Sequence, residues 1–346
     1  MKYGLFSIIV NFWLSMCLGS ALQGQHAQAR PLLVVARDGS GDFTSIQQAI
    51  DAVDSLGQNQ TVIFIRNGVY QEKLFIAKSR ITLRGQSEKG VVIQAAIARD
   101  IWRCENPDDW GAATVNVKGS DLTFERLTVL NSFGFDLQAD TVVSCANAPG
   151  GTKTVTRTGH QFAFRSLPGA VRLSFRQCTF RALGGDTVSP WDVENGMYYF
   201  NDCTMEGGVD FYCPRGWAYA ENCRFICHNR EAAIWHDGSQ AESSRTVLVN
   251  CRFDGDPGFK LGRYHRESQF YLLGCRFSKA MADADIYQAA SGPGTPRWGR
   301  RVYYYNCRRK GGDFSWHKNN FPIDPKGITP SWTFDGKWDP ENRQVD

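Results

Sequence analysis

Two aspartates and one arginine bound the chemistry open to this chain. Asp186 stands in Gly185-Asp186-Thr187, Asp210 in Val209-Asp210-Phe211, and Arg263 in Leu261-Gly262-Arg263. Two carboxylates held side by side resist ionising together, so one keeps a proton while the other stays charged. A guanidinium beside the charged one holds it in that state. Such a trio supplies a nucleophile, a proton donor and an orienting charge, which is what acyl transfer needs. A single aspartate in a turn is more often a backbone cap than a catalyst, so the weight lies on the three occurring together. His236-Asp237 is a weaker acid–base pair, because adjacent residues on a strand face opposite ways. The chain has no Gly-x-Ser-x-Gly elbow and no His-Glu-x-x-His, which argues against a serine esterase and a zinc hydrolase. It also lacks CxxC and HxxxH spacing, so no metal is expected.

Bringing residues 186, 210 and 263 together requires a repeating scaffold. Six of the 11 cysteines share one context: Gln177-Cys178, Asp202-Cys203, Asn222-Cys223, Asn250-Cys251, Gly274-Cys275 and Asn306-Cys307. Each follows an apolar run that alternates with period two, as in residues 171–175 and 247–249, which is a strand signal. One strand per short repeat, ending in the same polar-Cys step, is the pattern of a solenoid. The repeat is too short and too strand-rich for helical pairs. Coils of a parallel β-helix fit, with the six cysteines stacked as reduced core thiols. Cys104, Cys145, Cys213 and Cys227 fall outside this ladder and are the candidates for a disulfide.

Composition agrees with a folded, β-rich protein. The apolar fraction is 42% and the charged fraction 21%, which argues against disorder; the 34 glycines and 22 phenylalanines lean toward strands and turns. The net charge of +4 and the lack of a Lys/Arg run of five or more give no reason to expect nucleic acid. At the N-terminus, Lys2, the apolar stretch 5–18 and Ala27-Gln28-Ala29 read as a cleaved export signal covering 1–29. Lipid attachment at Cys17 is the competing reading. The mature domain is expected to span 30–346, as a soluble, exported monomer (periplasmic or extracellular) with no membrane span.

The apolar spacing predicts a short capping helix over 43–53, started by Thr44 and burying Ile46, Ala49, Ile50 and Val53. Strands are expected at 61–65, 74–76, 81–84, 91–95, 114–117 and 122–130. Residues 102–111 read as a polar loop, and 133–160 as an irregular projecting loop. The tail from Gly311 onward should pack along the outside of the coils.

Residues 36–51, Ala-Arg-Asp-Gly-Ser-Gly-Asp-Phe-Thr-Ser-Ile-Gln-Gln-Ala-Ile-Asp, together with Gly68-Val69-Tyr70-Gln71-Glu72, resemble the opening of the pectin methylesterases, carbohydrate esterase family 8. Gln161, Asp186, Asp210 and Arg263 match later motifs of that family in order, so the resemblance runs from about 34 to 307. It looks like a divergent, bacterial-type member. The resemblance implies an all-β right-handed parallel β-helix, no cofactor, and hydrolysis of methyl esters on galacturonate units of pectin. It implies Asp210 as nucleophile, Asp186 as general acid/base, Arg263 as the group orienting Asp210, and Gln161 as an oxyanion donor.

The chain departs from the family at three places. Gly185 stands where the family carries a second glutamine, Tyr212-Cys213-Pro214 replaces Ile-Phe-Gly, and Tyr264-His265 replaces Pro-Trp. The missing amide at Gly185 leaves a backbone N–H, a water, His160 or Trp191 as substitutes. Trp191, Tyr212, Arg215, Trp217 and Tyr264 are the expected sugar contacts, each competing with a plain packing role. Two other functions compete: a lyase or glycosidase on pectic polysaccharide, and a glycan-binding solenoid without catalysis.

Overall fold

In six coils of this protein the corner just before the ladder cysteine turns at one residue with left-handed backbone. In the computed structural model, Gln177, Asp202, Asn222, Asn250 and Asn306 have φ between 50° and 55°, and Gly274 has φ 61°. Asparagine, aspartate and glycine tolerate that conformation better than other residues. This is the physical reason for the polar-Cys repeat: the polar residue makes the bend, and the cysteine after it turns inward. All six ladder cysteines are free and buried. Their thiols donate to backbone carbonyls, as Cys203 does to Asn201 (3.4 Å) and Cys223 to Glu221 (3.3 Å).

The structure describes Met1 and residues 32–342, apart from 55–58, 237–240 and 292–293. The export-signal and Cys17 readings, and Asp237 of the His-Asp pair, lie outside the described residues. His236 itself is buried, with Nδ1 facing the Ser268 hydroxyl at 3.2 Å.

The coils build three faces of parallel strands. One sheet has ten strands in chain order, from Leu32–Val35 to Arg301–Tyr305. A second has nine, from Gly68–Tyr70 to Arg308–Arg309. The third face is divided. Leu74–Ile76, Ala113–Val117, Phe162–Ser166 and Val188–Ser189 form one part, and Ala232–His236, Lys260–Tyr264 and Tyr287–Gln288 the other. Between them, Tyr212 makes single bridges to Val188 and Ile234. Coil 209–215 cannot continue the ladder evenly, because Asp210 is left-handed and Pro214 has no N–H to donate.

In-register stacking fills the interior. Phe124, Phe175 and Phe200 are direct neighbours on consecutive coils, with rings stacked at 5.2 and 4.6 Å. Phe225 and Phe253 repeat the arrangement at 4.6 Å. Such aromatic pairs add about 0.5–1.5 kcal/mol each beyond their buried area.

The capping helix is Ile46–Ala52, and its N-cap is Ser45 rather than the expected Thr44. Glu72 completes the cap from another coil, accepting from the backbone N–H of Ile46 and Gln47, both at 2.9 Å. The Gly-x-Tyr-x-Glu motif therefore anchors the helix that covers the first coils. The tail packs as expected: Ile328 and Phe334 join Tyr199, Trp217, Tyr219 and Tyr271 on the outer face of the ten-stranded sheet.

Two loop readings need correction. Residues 102–111 are not all loop, since a helix spans Arg99–Glu105. The stretch 133–160 holds a helical turn, Phe133–Asp136, and an antiparallel hairpin, Thr141–Ser144 with Thr152–Val155. Burial of Ala98, Phe133 and Val155 against one another organises that segment, which its polar sequence obscures. The Cys104–Cys145 disulfide ties helix to hairpin across 41 residues.

Replacing both Cys104 and Cys145 by alanine is expected to lower the unfolding free energy by about 2–4 kcal/mol, read from denaturant titration. An unchanged midpoint would contradict the cross-link's role. In the folded protein, thiol reagents should leave the buried ladder cysteines unmodified and label them only after denaturation.

Candidate active site

Asp186 and Asp210 both have left-handed backbone, with φ 57° and 54°. Each starts its stretch of the divided third face. The bridges Val188↔Tyr212 and Trp191↔Arg215 share an offset of 24 residues, which places Asp210 directly below Asp186 on the next coil. Neighbouring coils are separated by about 4.8 Å. The Asp186 N–H donates to Val209 C=O at 3.3 Å, and the Asp210 N–H to Ala232 C=O at 2.7 Å. The turn conformation thus aims two carboxylates out of the same flank. Both side chains are largely but not wholly buried; the residues are 9% and 8% exposed.

Arg263 reaches back to Asp210 from the Lys260–Tyr264 strand. Its Nε lies 3.0 Å from Oδ1 and its Nη2 2.6 Å from Oδ2, a two-pronged fork. Trp235, beside Arg263 in the paired strand, presents its ring 5.2 Å from the guanidinium. Burial pushes the Asp210 carboxyl up to about 6; the Arg263 hydrogen bond and charge pull against that rise, and Asp186 adds to it. Above that pH Asp210 is an anion with fixed orientation.

Around Asp186 the groups differ. His160 Nε2 approaches Oδ1 at 3.9 Å from an exposed ring, and Arg215 Nη2 lies 3.7 Å from Oδ2. Arg215, 4% exposed, also donates to the Ser189 hydroxyl (3.0 Å) and the Cys213 carbonyl (3.1 Å). Arg165 shares Ser189 at 2.6 Å and pairs with Asp109 at 3.3 Å. The half-buried Trp191 ring lies against both guanidiniums, 4.3 Å from Arg165 and 4.1 Å from Arg215. Burial, with Arg215 nearby, lowers Arg165 to about 10, so it remains a cation at neutral pH.

The expected residues therefore divide. Asp186, Asp210, Arg263, Trp191 and Arg215 converge on one flank. Tyr212 does not reach it: the ring is fully buried between Phe200 and Phe225. Tyr264 follows Arg263 on a strand, so it takes the opposite face and packs toward Phe270 in the core. Trp217 belongs to the ten-stranded sheet, beneath Lys337 and Phe334 of the tail, on another face. Gln161 is adjacent but sealed. Its Oε1 accepts from Gly134 N–H at 3.1 Å and its Nε2 donates to Arg157 C=O at 2.5 Å. Gly184 is required there, because a Cβ would meet the Gly159 carbonyl oxygen at 1.9 Å and the Gln161 amide at 2.8 Å. At Gly185 a Cβ would come within 2.8 Å of the Val209 carbonyl oxygen, so no side-chain amide fits at that position without a backbone shift.

Arg165, Ser189 and Asp109 were not singled out by the sequence. No motif marks Arg165 or Ser189; only coil register reveals that they sit beside Asp186. Asp109 lay in the stretch read as loop, yet it also takes Arg99 at 2.8 Å. Among the described residues no group of three or more metal-binding side chains occurs.

Comparisons with known proteins agree with the fold. The family model described as Pectinesterase matches residues 32–149, the part that carries Glu72 and stops short of both aspartates. Probable pectinesterase 8 of Arabidopsis thaliana is 27% identical over 302 residues, covering 82% of this chain and 68% of that protein. Pectinesterase 31 of the same plant is 29% identical, covering 64% of each, and the chain spans only 36% of probable pectinesterase/pectinesterase inhibitor 17, at 30% identity. Among solved structures, a pectin methylesterase in complex with a hexasaccharide superposes with TM-score 0.69 at 21% identity, covering 91% of this chain and 99% of that one. Pectin methylesterase from Yersinia enterocolitica gives 0.65 at 21% identity, with 86% and 99% coverage. At those identities the likeness establishes the fold, the right-handed parallel β-helix.

The fork itself is open to direct measurement. Replacing Arg263 by methionine removes both the hydrogen bond and the charge that oppose burial, so the Asp210 carboxyl should titrate about one unit or more higher than in the parent. Carboxyl-observed NMR titration reads this, and an unmoved midpoint would contradict the coupling.

Proposed function

The chain belongs to the pectinesterase family, and from that membership and the geometry of its third face we propose that it hydrolyses methyl esters of galacturonate units in pectin, releasing methanol. The observation that carries this reading is the Arg263 fork on Asp210 with Asp186 on the adjoining coil. Three groups needed for ester cleavage then lie on one partly open flank.

In the proposed sequence, an oxygen of ionised Asp210 attacks the ester carbonyl carbon. Arg263 keeps that carboxylate charged and aimed, since each fork prong fixes one oxygen. The tetrahedral intermediate collapses with loss of the methoxy group, which takes a proton from Asp186 and leaves as methanol. An acyl–Asp210 anhydride remains. Asp186, now a carboxylate, takes a proton from water as the hydroxyl adds to the uronyl carbon. The bond to Asp210 breaks, the uronic acid departs, and both aspartates return to their starting states.

The intermediate's oxyanion needs a donor. Gly185 carries none in its side chain, and the Gln161 amide is tied to Gly134 and Arg157. His160 bridges Gly185 on the adjoining coil and holds an exposed ring nitrogen near Asp186. These features support His160 as the donor. The half-buried Trp191 and Trp235 are proposed to flank the sugar chain.

A second reading, sugar binding without turnover, is favoured by one observation: both family amide positions are unavailable, Gly185 for lack of a side chain and Gln161 for lack of exposure. Methanol release separates the two readings.

Export is proposed as well. A disulfide at Cys104–Cys145 suits an oxidising compartment, and no helix among the described residues is long and apolar enough to cross a membrane.

Asp210→Ala should reduce methanol release from esterified pectin by about a thousandfold or more, with the fold intact by circular dichroism. Release at the parent rate would remove the assignment. In the parent, kcat/KM should rise with pH through about 6, because Asp210 attacks only when ionised. A flat profile across that range would contradict Asp210 as the nucleophile. His160→Ala should lower kcat about a hundredfold with little change in KM; an unchanged kcat would leave the oxyanion to another donor.

A further inference from the structure

The nine-stranded sheet carries an outward row that the proposed chemistry does not use. The residue after each ladder cysteine is its member. In the first coils the row reads Thr128, Thr179 and Thr204, each paired directly with the next. It then becomes Arg224, Arg252, Arg276 and Arg308, again in direct register from coil to coil. All four arginines are exposed. Arg224, Arg252 and Arg276 line one side of an open groove of about 430 Å³ that also takes in Asp254 and Lys310.

This row has a physical cost. Like charges directly opposite on neighbouring strands are destabilising, and here the repeat is about 4.8 Å. Packing does not require it, because threonine fills the same row in the earlier coils. Counter-charge is sparse. Arg224 faces Asp254 at 3.9 Å and Arg308 faces Asp313 at 3.8 Å, both exposed pairs. Arg276 turns one nitrogen onto the carbonyls of Gly274 and Asn306, each at 2.9 Å. No hydrogen bond or ion pair to another described residue engages the Arg252 side chain. All four are arginine and none is lysine, which suits a partner with planar anionic groups that accept two hydrogen bonds.

We propose that this arginine ladder is a binding site for a linear polyuronate, distinct from the flank that carries Asp210. A polymer with one carboxylate on every sugar presents charge at regular intervals, as the ladder does. The identification of that polymer as de-esterified galacturonan rests on the esterase reading: each ester cleaved would add one carboxylate to the chain. The ladder then holds the protein on stretches it has already processed, while the catalytic flank meets esterified ones. Nucleic acid is the less favoured polyanion, since single strands are gripped by aromatic faces as well as charge, and Phe253 and Phe277 on these strands point into the core.

The test is calorimetric titration of the full chain with de-esterified polygalacturonate at low ionic strength. The parent is compared with Arg224→Gln/Arg252→Gln and with the single Arg252→Glu. Both variants should bind about tenfold or more weakly, and the residual binding should depend less on salt. Their turnover of a short methyl-esterified oligogalacturonide should stay within about twofold of the parent, because that substrate spans only the catalytic flank. Equal polygalacturonate affinity in the parent and both variants overturns the proposal. Binding of oligothymidylate by the parent as tight as that of polygalacturonate, lost in the same variants, overturns the uronate assignment in favour of a general polyanion site. The two readings fail separately: a parent that binds polygalacturonate through the ladder but turns over no ester would sink the esterase reading alone.

Discussion

Coil-to-coil register is the constraint on which this molecule depends. A left-handed residue at the bend before each ladder cysteine fixes where one strand ends and the next begins. With the bends aligned, phenylalanine stacks on phenylalanine and thiol on thiol. A one-residue slip in any coil would turn its inward side chains outward. The same alignment sets Asp210 beneath Asp186 and brings Arg263 within reach from a coil beyond. The site is therefore a by-product of stacking order, and no loop has to fold over to assemble it.

Within that frame, the third face breaks where the proposed chemistry is placed. Asp186, Asp210 and Pro214 interrupt regular pairing between the two parts of the sheet. Non-glycine residues with positive φ are costly in most settings, though aspartate bears the conformation better than most. Here it lifts two carboxylates from the sheet at neighbouring heights. Burial then opposes ionisation of Asp210, while the Arg263 fork favours it. The outcome, a carboxyl near 6, is a compromise between desolvation and one well-formed ion pair. Asp186 stands among different partners, His160 and Arg215, so the two carboxylates do not share an environment.

Much of this was legible in the sequence. The polar-Cys repeat gave the solenoid, its strand spacing and the reduced thiol ladder. The two aspartates and Arg263 followed from motif order. The misreadings have physical causes. Tyr212 and Tyr264 looked like sugar-stacking residues, but strand alternation turns Tyr264 inward beside Arg263, and Tyr212 sits in a coil whose Phe211 and Cys213 are buried with it. Trp217 lies close to Asp210 in sequence, yet the chain has turned a corner onto the ten-stranded sheet by then. The hairpin within 133–160 is polar on most of its surface, so its few buried contacts left no periodic signal. Arg165 and Ser189 belong to no motif; their place beside Asp186 is a property of register, which a single sequence does not number.

The account turns on where an ester sits. A crystal structure of the Asp210→Ala protein with a methyl-esterified hexagalacturonide tests it most directly. The account predicts an ester carbonyl carbon within about 3.5 Å of the space vacated by the Asp210 carboxylate, with Asp186 toward the methoxy oxygen and Trp191 or Trp235 against a sugar ring. A saccharide seated only on another face, with the Asp210 flank empty, would contradict it.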